Sequence, residues 1–206
     1  MIRHLPAVTY DGSVAKLVDA FNARLVHNHL YWSDAAVDPV RATVKTHYQA
    51  AQGFLCCYCR QTYPVQHMRA WDAEHIVPKR LHPEFMFTPE NLALSCPDCN
   101  GPKWDKETLV DPTLRAYPLR GDAFLIVHPH FDAYEDHIVR GDYVYTAVEG
   151  SEKGAWTIIE CNLGRFVQMQ IGWPEPLGDE DFEDEVERAA SGDAAAVSQI
   201  AAELRQ

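Results

Sequence analysis

Two Cys-x-x-Cys pairs constrain the fold of this 206-residue chain more than any other feature. The first pair is Cys56 and Cys59, and the second is Cys96 and Cys99. In a reducing compartment such pairs are typical of a tetrahedral zinc site rather than of disulfide bonds. We therefore predict a structural Zn2+ that ties two distant stretches of the chain together. Four thiolates leave no open position for water, so this ion is expected to do no chemistry.

Polar residues of a second kind lie between and just after these pairs. Glu74 directly precedes His75, Asn91 follows in the next stretch, and Asn100 comes immediately after the last cysteine. An imidazole with an ordinary pKa of about 6.5 can take a proton from water near neutral pH, which makes His75 a candidate general base. The side-chain oxygens of Glu74 and Asn100 suit a hard divalent cation, Mg2+ or Mn2+. Together these residue types indicate metal-assisted phosphodiester hydrolysis.

The order of these residues resembles the HNH endonuclease family, whose nuclease core is the ββα-metal motif. C-x-x-C, Glu-His, Asn, C-x-x-C-Asn and Lys occur here in the family's order, from Cys56 to Lys103. The resemblance implies that Glu74 and Asn100 hold the catalytic cation and that His75 is the base. It also implies that Asn91 holds a loop and orients the base. Three basic residues are candidates for phosphate contacts, with ordinary surface exposure as the alternative for each: Lys79, Arg80 and Lys103.

One dipeptide departs from the family pattern. Gly101-Pro102 falls where the helix of the motif should continue, and a proline there removes a backbone hydrogen bond. We therefore expect this helix, which should begin near Pro97, to be short or to bend after Asn100. The position of Lys103 depends on which of the two occurs.

The expected fold class is α+β, a zinc-stabilised ββα-metal core between N-terminal helices and a mixed C-terminal extension. Four segments are expected: a helical lead-in (1–53), the nuclease core (54–118), a strand-rich extension (119–174) and an acidic helical tail (175–206). In the lead-in, one helix is predicted from Ser13 to about Asn28 and a second from Asp38-Pro39 to Gly53. His27, His29 and His47 lie on or near these helices and are interpreted as surface or packing residues.

In the core, we predict a strand within 61–73 that ends near Glu74-His75, a loop from Leu81 to Pro89 and a second strand at 91–94. In the extension, strands are predicted at 124–127, 143–146 and 156–159. A final helix is expected at 193–204, after an acidic run from Asp179 to Glu187 that is read as a solvated or disordered segment.

A polar cluster in the extension leaves two readings open. Imidazole and carboxylate groups recur within a short stretch and are common metal ligands, so a second metal site is one reading. The other is a polar loop that packs on the core. The residues concerned are His128, His130, Asp132, Asp136 and His137.

Charge bears on the partners of the chain. The formal net charge is −12, whereas proteins that grip nucleic acid unaided rely on Lys and Arg. Residues 175–206 carry ten acidic and two basic side chains, which leaves −4 for residues 1–174. Residues 54–106 balance six basic against six acidic side chains, so DNA binding by the core is compatible with its charge. A partner subunit that supplies positive surface is expected.

The sequence also bears on the location of the protein and on functions other than DNA cleavage. No stretch has the length of apolar residues that a membrane span needs, and no signal peptide is apparent, so a cytoplasmic protein is expected. Within the family the chain is similar to HNH proteins of bacterial antiphage systems of the retron and Septu types, which act with an ATPase. The rival from another class is a non-catalytic zinc-bearing module that binds nucleic acid or protein. RNA as the substrate also stays open.

Overall fold

The computed structural model of this chain describes residues 4–62, 70–141, 143–170 and 186–203. In these ranges short helices accompany two small antiparallel sheets, so the fold is α+β, as predicted. The elements are α1 (Gly12–Asn22), α2 (Asp38–Ala51), β1 (Asp72–His75), β2 (Leu92–Ser95), α3 (Pro97–Lys103), β3 (Ile138–Arg140), β4 (Tyr145–Ala147), α4 (Glu152–Glu160), α5 (Arg165–Gln170), α6 (186–190) and α7 (Ala194–Glu203).

The centre of the fold is a hairpin-like pair of strands followed at once by a helix. β1 and β2 pair antiparallel, with Asp72 opposite Ser95 and His75 opposite Leu92. α3 begins directly after β2 with a proline, whose missing N–H would be unpaired in the first turn anyway. It ends at Lys103, after Pro102, and the next residue has a positive φ of 42°. The helix is therefore short, the first of the two outcomes expected from Gly101-Pro102.

The second predicted helix, α2, is confirmed and covers one edge of the core. Val40, Val44 and Tyr48 are buried on one face, as the spacing predicts. Just beyond its end, the Gln52 amide exchanges two hydrogen bonds with the Leu94 backbone: Nε2 donates to the carbonyl oxygen (2.8 Å) and Oε1 accepts from the N–H (2.7 Å). This side chain therefore satisfies backbone groups of β2 that β1 does not reach.

The first predicted helix is shorter than expected. α1 ends at Asn22 rather than near Asn28, and Leu25, which the predicted helix would include, is fully exposed. The chain turns back after α1 so that Phe21 and Tyr31 stack with ring centroids 5.2 Å apart. The Arg24 guanidinium carbon lies 4.2 Å from the centroid of the Tyr31 ring and stabilises this change of chain direction. These aromatic contacts are long-range and compete with continuation of the helix.

Two of the predicted strands in the extension are wrong. Phe124 makes one isolated bridge to Leu109, and the hydrogen bond from Leu125 N–H to Thr108 O (2.7 Å) belongs to that bridge. Residues 124–127 form no strand, because Val127 N–H donates to the side chain of Thr157 (Oγ1, 2.8 Å) rather than to a neighbouring strand. Residues 156–159 lie in helix α4. The strand predicted at 143–146 is present as β4, shifted to Tyr145–Ala147, and the final helix is present as α7.

Two of the predicted segments extend into residues outside the described ranges. Tyr63, Val65 and Met68 of the predicted 61–73 strand, and most of the acidic run from Asp179 onward, lie outside the described residues. The predicted 81–89 loop contains one short 3-10 turn, Pro83–Phe85. None of the described helices combines the length and apolarity needed to cross a membrane.

One hydrophobic core unites most of the described chain. Its buried members run from Leu5 in the lead-in to Leu163 after α4, and they include all four paired cysteines. A smaller cluster lies between the last three helices: Val167, Ala189, Ala196 and Ile200. The four-segment division stays a prediction, but the packing of its first three segments is continuous.

Candidate active site and metal centre

The four paired cysteines come together in the core. Cys56 and Cys59 lie in the turn after α2, Cys96 precedes α3, and Cys99 lies in its first turn. All four are buried, and their Sγ atoms lie within 4.8 Å of one another. Four thiolates at about 2.3 Å from one zinc ion would be spaced by about 3.8 Å, so this cluster fits a tetrahedral metal. Among the described residues no other group of His, Cys, Asp or Glu has this geometry.

A cation from the C-terminal extension contacts the thiol cluster. Arg165, the first residue of α5, donates from its guanidinium to Cys99 Sγ (3.2 Å) and lies 3.7 Å from Cys96 Sγ. Four thiolates around a divalent ion leave a net negative charge, which the guanidinium partly offsets. Cys57 and Cys161 are buried outside the cluster, and burial raises the pKa of both thiols well above the ordinary value. They are therefore packed thiols.

A pocket of about 250 Å³ lies beside this centre, where β1, α3 and the lead-in meet. Its wall includes five residues predicted for the site and also His29, Trp104 and Asp105. The structure thus brings together the following predicted side chains: Glu74, His75, Lys79, Arg80 and Asn100. Asn91 and Lys103 lie behind the wall, in contact with residues that form it.

His75 is held in one tautomer. It is buried at the end of β1, and its Nε2 lies 3.0 Å from the Met86 carbonyl oxygen. Burial lowers the pKa of His75 well below the ordinary value, and the positive charge of Lys79 lowers it further. A neutral imidazole must carry its proton on Nε2 to donate to that carbonyl, which leaves the Nδ1 lone pair free. The Trp32 ring meets His75 edge-on at 4.5 Å and fixes the plane of the imidazole.

Asn91 organises the loop that orients His75. Its Oδ1 accepts from Val77 N–H (2.7 Å), and its Nδ2 donates to Val77 O (3.1 Å) and Phe85 O (3.0 Å). Phe85 directly precedes Met86, whose carbonyl oxygen accepts the hydrogen bond from His75 Nε2–H. The fully buried Asn91 therefore fixes the backbone at Val77 and at Phe85, an arrangement of the kind that determines which ring nitrogen of a neighbouring histidine is exposed.

Glu74 is anchored through one of its two carboxylate oxygens. Tyr58 Oη donates to Glu74 Oε1 (2.8 Å), and Lys103 Nζ lies 2.6 Å from the same atom. Tyr58 stands between two cysteines of the first pair, so this hydrogen bond links the thiol cluster directly to the pocket.

Lys103 differs from its predicted role as a phosphate contact. Its side chain is 1% exposed, it pairs with Glu74, and it donates to His75 O (3.0 Å). A buried ammonium that already has these partners does not reach the pocket. Within the described structure Lys103 fixes the backbone and side chains of β1 rather than facing solvent.

Glu74 and Asn100, the cation ligands that the resemblance implies, both offer side-chain oxygens at the pocket, which Asp105 also lines. Asn100 Nδ2 donates to Asp72 Oδ2 (2.9 Å), which orients the amide and leaves Oδ1 as an acceptor. Glu74 has its Oε2 in addition to the anchored Oε1. Two such oxygens with several waters match the habits of Mg2+, which keeps much of its hydration shell. The donor set therefore fits Mg2+ or Mn2+.

Two cations line the open side of the pocket. Lys79 is half-buried, and burial lowers the pKa of its ammonium from the ordinary value. Arg80 is largely exposed and forms an ion pair with Asp105 (3.2 Å). A surface pair of this kind contributes about 0–1 kcal/mol, so Arg80 can exchange its partner for a phosphate at little cost.

His29 and Trp104 are among the pocket residues that were not predicted for the site. His29 was interpreted as a surface or packing residue, because no ligand lies near it in sequence, and it reaches the pocket from the turn after α1. Trp104 lay in a stretch read as a loop. Neither carries a local sequence signal: both belong to the wall because of how the lead-in and the end of α3 are folded.

The polar cluster of the extension is occupied by internal hydrogen bonds. His128 Nδ1 accepts from His130 N–H (3.2 Å), and its Nε2 lies 2.8 Å from Tyr117 Oη. His130 contacts the carbonyl oxygens of Leu5 and Leu92, both at 2.8 Å. Asp132 pairs with Lys153. Since these groups tie the lead-in and β2 to the extension, the packing interpretation describes them and the second-metal reading does not.

Comparison with known families agrees with the geometry of the site. The family model described as HNH endonuclease matches residues 56–106, from the first paired cysteine to just beyond α3. The chain therefore carries an HNH endonuclease domain over about a quarter of its length. No match to this chain was found among the curated proteins or the solved structures.

Proposed function

We propose that the HNH endonuclease domain at residues 56–106 makes this chain a metal-dependent endonuclease that hydrolyses phosphodiester bonds in DNA. One observation carries the proposal: the neutral His75 imidazole is anchored through Nε2 on Met86 O, in a pocket shared with the oxygens of Glu74 and Asn100. A general base needs a free lone pair within reach of water, and Nδ1 supplies it.

In the proposed reaction His75 Nδ1 removes a proton from the attacking water as that water approaches phosphorus. Met86 O keeps the other ring nitrogen protonated, and the imidazolium that forms is stabilised by this same hydrogen bond. Asn91 prevents the supporting loop from turning away. Each of these groups is in place before the substrate arrives, so little reorganisation is needed in the transition state.

Glu74 and Asn100 are the proposed ligands of Mg2+ or Mn2+. When bound, such a cation supplies Lewis-acid stabilisation of the phosphate and of the leaving oxygen. Lys103 and Tyr58 hold Glu74 Oε1, which reduces the rotamer freedom of the carboxylate. Lys79 and Arg80 are proposed to bind the phosphates that flank the reacting one.

The proposed role of zinc is structural. The four-cysteine cluster lies in the core beneath the pocket, and Tyr58 connects it to Glu74. Loss of the ion would therefore disturb the base and the ligands through the backbone, although zinc touches no substrate.

We extend the proposal to bacterial antiphage defence with an ATPase partner subunit. Its support is the resemblance to HNH proteins of retron and Septu systems and the net charge of −12, which gives the isolated chain little electrostatic attraction to DNA. An ATPase encoded beside this chain would agree with the extension. Cleavage that needs no second protein at physiological salt would contradict it.

The test of the core proposal is cleavage of supercoiled plasmid and of labelled oligonucleotides, DNA and RNA in parallel, with Mg2+ or Mn2+. His75→Ala is expected to lower the cleavage rate at least about 100-fold, because general-base catalysis typically contributes about 10²–10⁴. Asn100→Ala should raise the metal concentration needed for half-maximal rate. The matched control is His4→Ala, an exposed histidine.

Three outcomes would change the proposal. Equal cutting by the natural chain and His75→Ala removes His75 as the base. Metal-dependent cutting of RNA alone replaces the DNA assignment. Tight nucleic-acid or protein binding without cutting, in the presence of any partner found, favours the non-catalytic module.

A further inference from the structure

Trp104 has an unusual backbone and an unusual exposure. It directly follows α3, and its N–H donates to Asn100 O (2.8 Å), so the position of its backbone is fixed relative to a proposed metal ligand. Its φ of 42° and ψ of −123° lie in a region that L-residues rarely occupy. Its side chain is 69% exposed and forms part of the pocket wall.

Both features are costly for a tryptophan. A residue with a side chain in this backbone region is strained, and glycine would remove the strain. A large apolar ring in water forgoes the free energy that burial would bring. Other tryptophans of the described chain are used differently: Trp71 is 1% exposed, and Trp32 packs on His75. Strain of this kind is concentrated where a ligand is held.

The size and charge of the pocket indicate which part of a nucleic acid meets Trp104. A volume of about 250 Å³ is below the range of about 300–1,000 Å³ that pockets for whole drug-sized ligands span. It can take a phosphodiester group with a cation and waters. Lys79 and Arg80 line the same pocket. The phosphate backbone of a bound nucleic acid would contact these two charged side chains, and the base next to the bound phosphate would then lie against the Trp104 indole.

We propose that Trp104 is a substrate-binding residue that stacks on an unpaired nucleobase adjacent to the scissile phosphate. The inference rests on the proposed nuclease function and deepens it by naming the substrate class: a single-stranded or locally unpaired segment. Every base has an apolar face, so one exposed indole binds without sequence preference. In an intact duplex both faces of each base are covered by neighbouring pairs, and access would require unstacking.

The first experiment measures binding apart from cleavage. In the His75→Ala background, a labelled oligonucleotide is titrated by fluorescence anisotropy, as a single strand and as a blunt duplex, with Trp104→Ala and Trp104→Phe compared. Trp104→Ala should weaken single-strand binding by about fivefold to 150-fold, the range measured for base–aromatic stacking. Trp104→Phe should retain most of the affinity. Duplex binding should be weaker and should change little.

The second experiment locates the stacked base. One nucleotide at a time in the single strand is replaced by an abasic residue, and each substrate is measured with Trp104 and with Trp104→Ala. At the stacked position the two losses should not add, because the ring and the base are partners in one contact. At every other position they should add. Additive losses throughout, or an unchanged affinity of Trp104→Ala, would overturn the inference.

Folding and function are controlled separately. Because Trp104 is exposed, the Tm of Trp104→Ala should be no lower than that of the natural chain. A lower Tm, together with an affinity that is restored at low temperature, would assign the loss of binding to folding and overturn the inference. Failure of the nuclease proposal has a different signature: no cleavage by the natural chain, either alone or with any partner found. If the natural chain cleaves and the Trp104→Ala variant cleaves equally well, the stacking proposal is contradicted and the nuclease proposal is not.

Discussion

At the scale of single residues, the buried pair of Lys103 and Glu74 determines the shape of the site. The two side chains are 1% and 3% exposed, and Tyr58 shares the same carboxylate oxygen. Removing one partner of a buried pair leaves the other charge without compensation, which typically costs about 3–5 kcal/mol. The pair is thus expected to matter for stability far more than an ion pair on the surface.

We predict that Lys103→Met lowers the free energy of unfolding by about 3–5 kcal/mol, measured by urea denaturation. The double variant Glu74→Gln/Lys103→Met should recover much of this loss, because no buried charge is then left alone. Lys79→Met, in the pocket wall, is the matched control and should weaken DNA binding with a smaller effect on stability. A stable Lys103→Met with weak DNA binding would restore the original phosphate-contact role.

The residues of the site differ in how far sequence predicts them. Glu74, His75 and Asn100 were predicted together from the order of the motif, Glu-His followed by an asparagine directly after the last paired cysteine. Lys103 was misplaced because its burial depends on Tyr58 and Glu74, which reach it from elsewhere in the fold. His29 comes from the lead-in across a tertiary contact, and nothing near it in sequence marks it.

At the scale of elements, α4 shows why an apolar run is ambiguous. Trp156 to Ile159 was read as a strand, although Gly154, Thr157, Ile158 and Cys161 are buried at helical spacing. Ser151 Oγ accepts from Gly154 N–H (3.1 Å) and caps the helix. Length and β-propensity favoured a strand, but the cap and the period of the buried residues identify a helix.

Gly154 gives a test at this scale. A Cβ there would lie 2.0 Å from the His137 carbonyl oxygen, so α4 can pack on this backbone only without a side chain. Gly154→Ala should therefore lower stability by about 1–3 kcal/mol, the cost of overpacking, despite the better helix propensity of alanine. The change in stability is measured by thermal unfolding and by urea denaturation.

Gly101 in α3 is the matched control. A Cβ there meets nothing within 4 Å, so Gly101→Ala should gain stability by about 0.5–1 kcal/mol from propensity alone. Changes of the same sign at both glycines would show that the close approach to His137 does not determine the effect.

At the scale of the whole molecule, the thiol cluster lies inside the main core rather than in a separate knuckle. Structural zinc in small domains contributes about 10–16 kcal/mol, as much as the total stability of about 5–15 kcal/mol of an ordinary domain. Loss of the metal is therefore expected to unfold the described core as one unit.

We predict one zinc per chain by elemental analysis, and loss of the cooperative thermal transition when a zinc chelator is added. Cys99→Ala should lose both the metal and the transition. Cys161→Ala, equally buried but outside the cluster, should keep one zinc and lose only a modest amount of stability. A metal-free chain with an unchanged Tm would contradict a structural role for the ion.

Arg165 bears on how far the packing of the candidate site extends along the chain. The guanidinium that approaches Cys99 and Cys96 belongs to α5, well beyond residue 106 where the family match ends. On the other side, Trp32 from the lead-in closes over His75. A fragment trimmed to residues 56–106 would lose the guanidinium beside its four-cysteine cluster and the ring that packs on His75. The contacts that hold the candidate site thus extend beyond the matched residues on both sides.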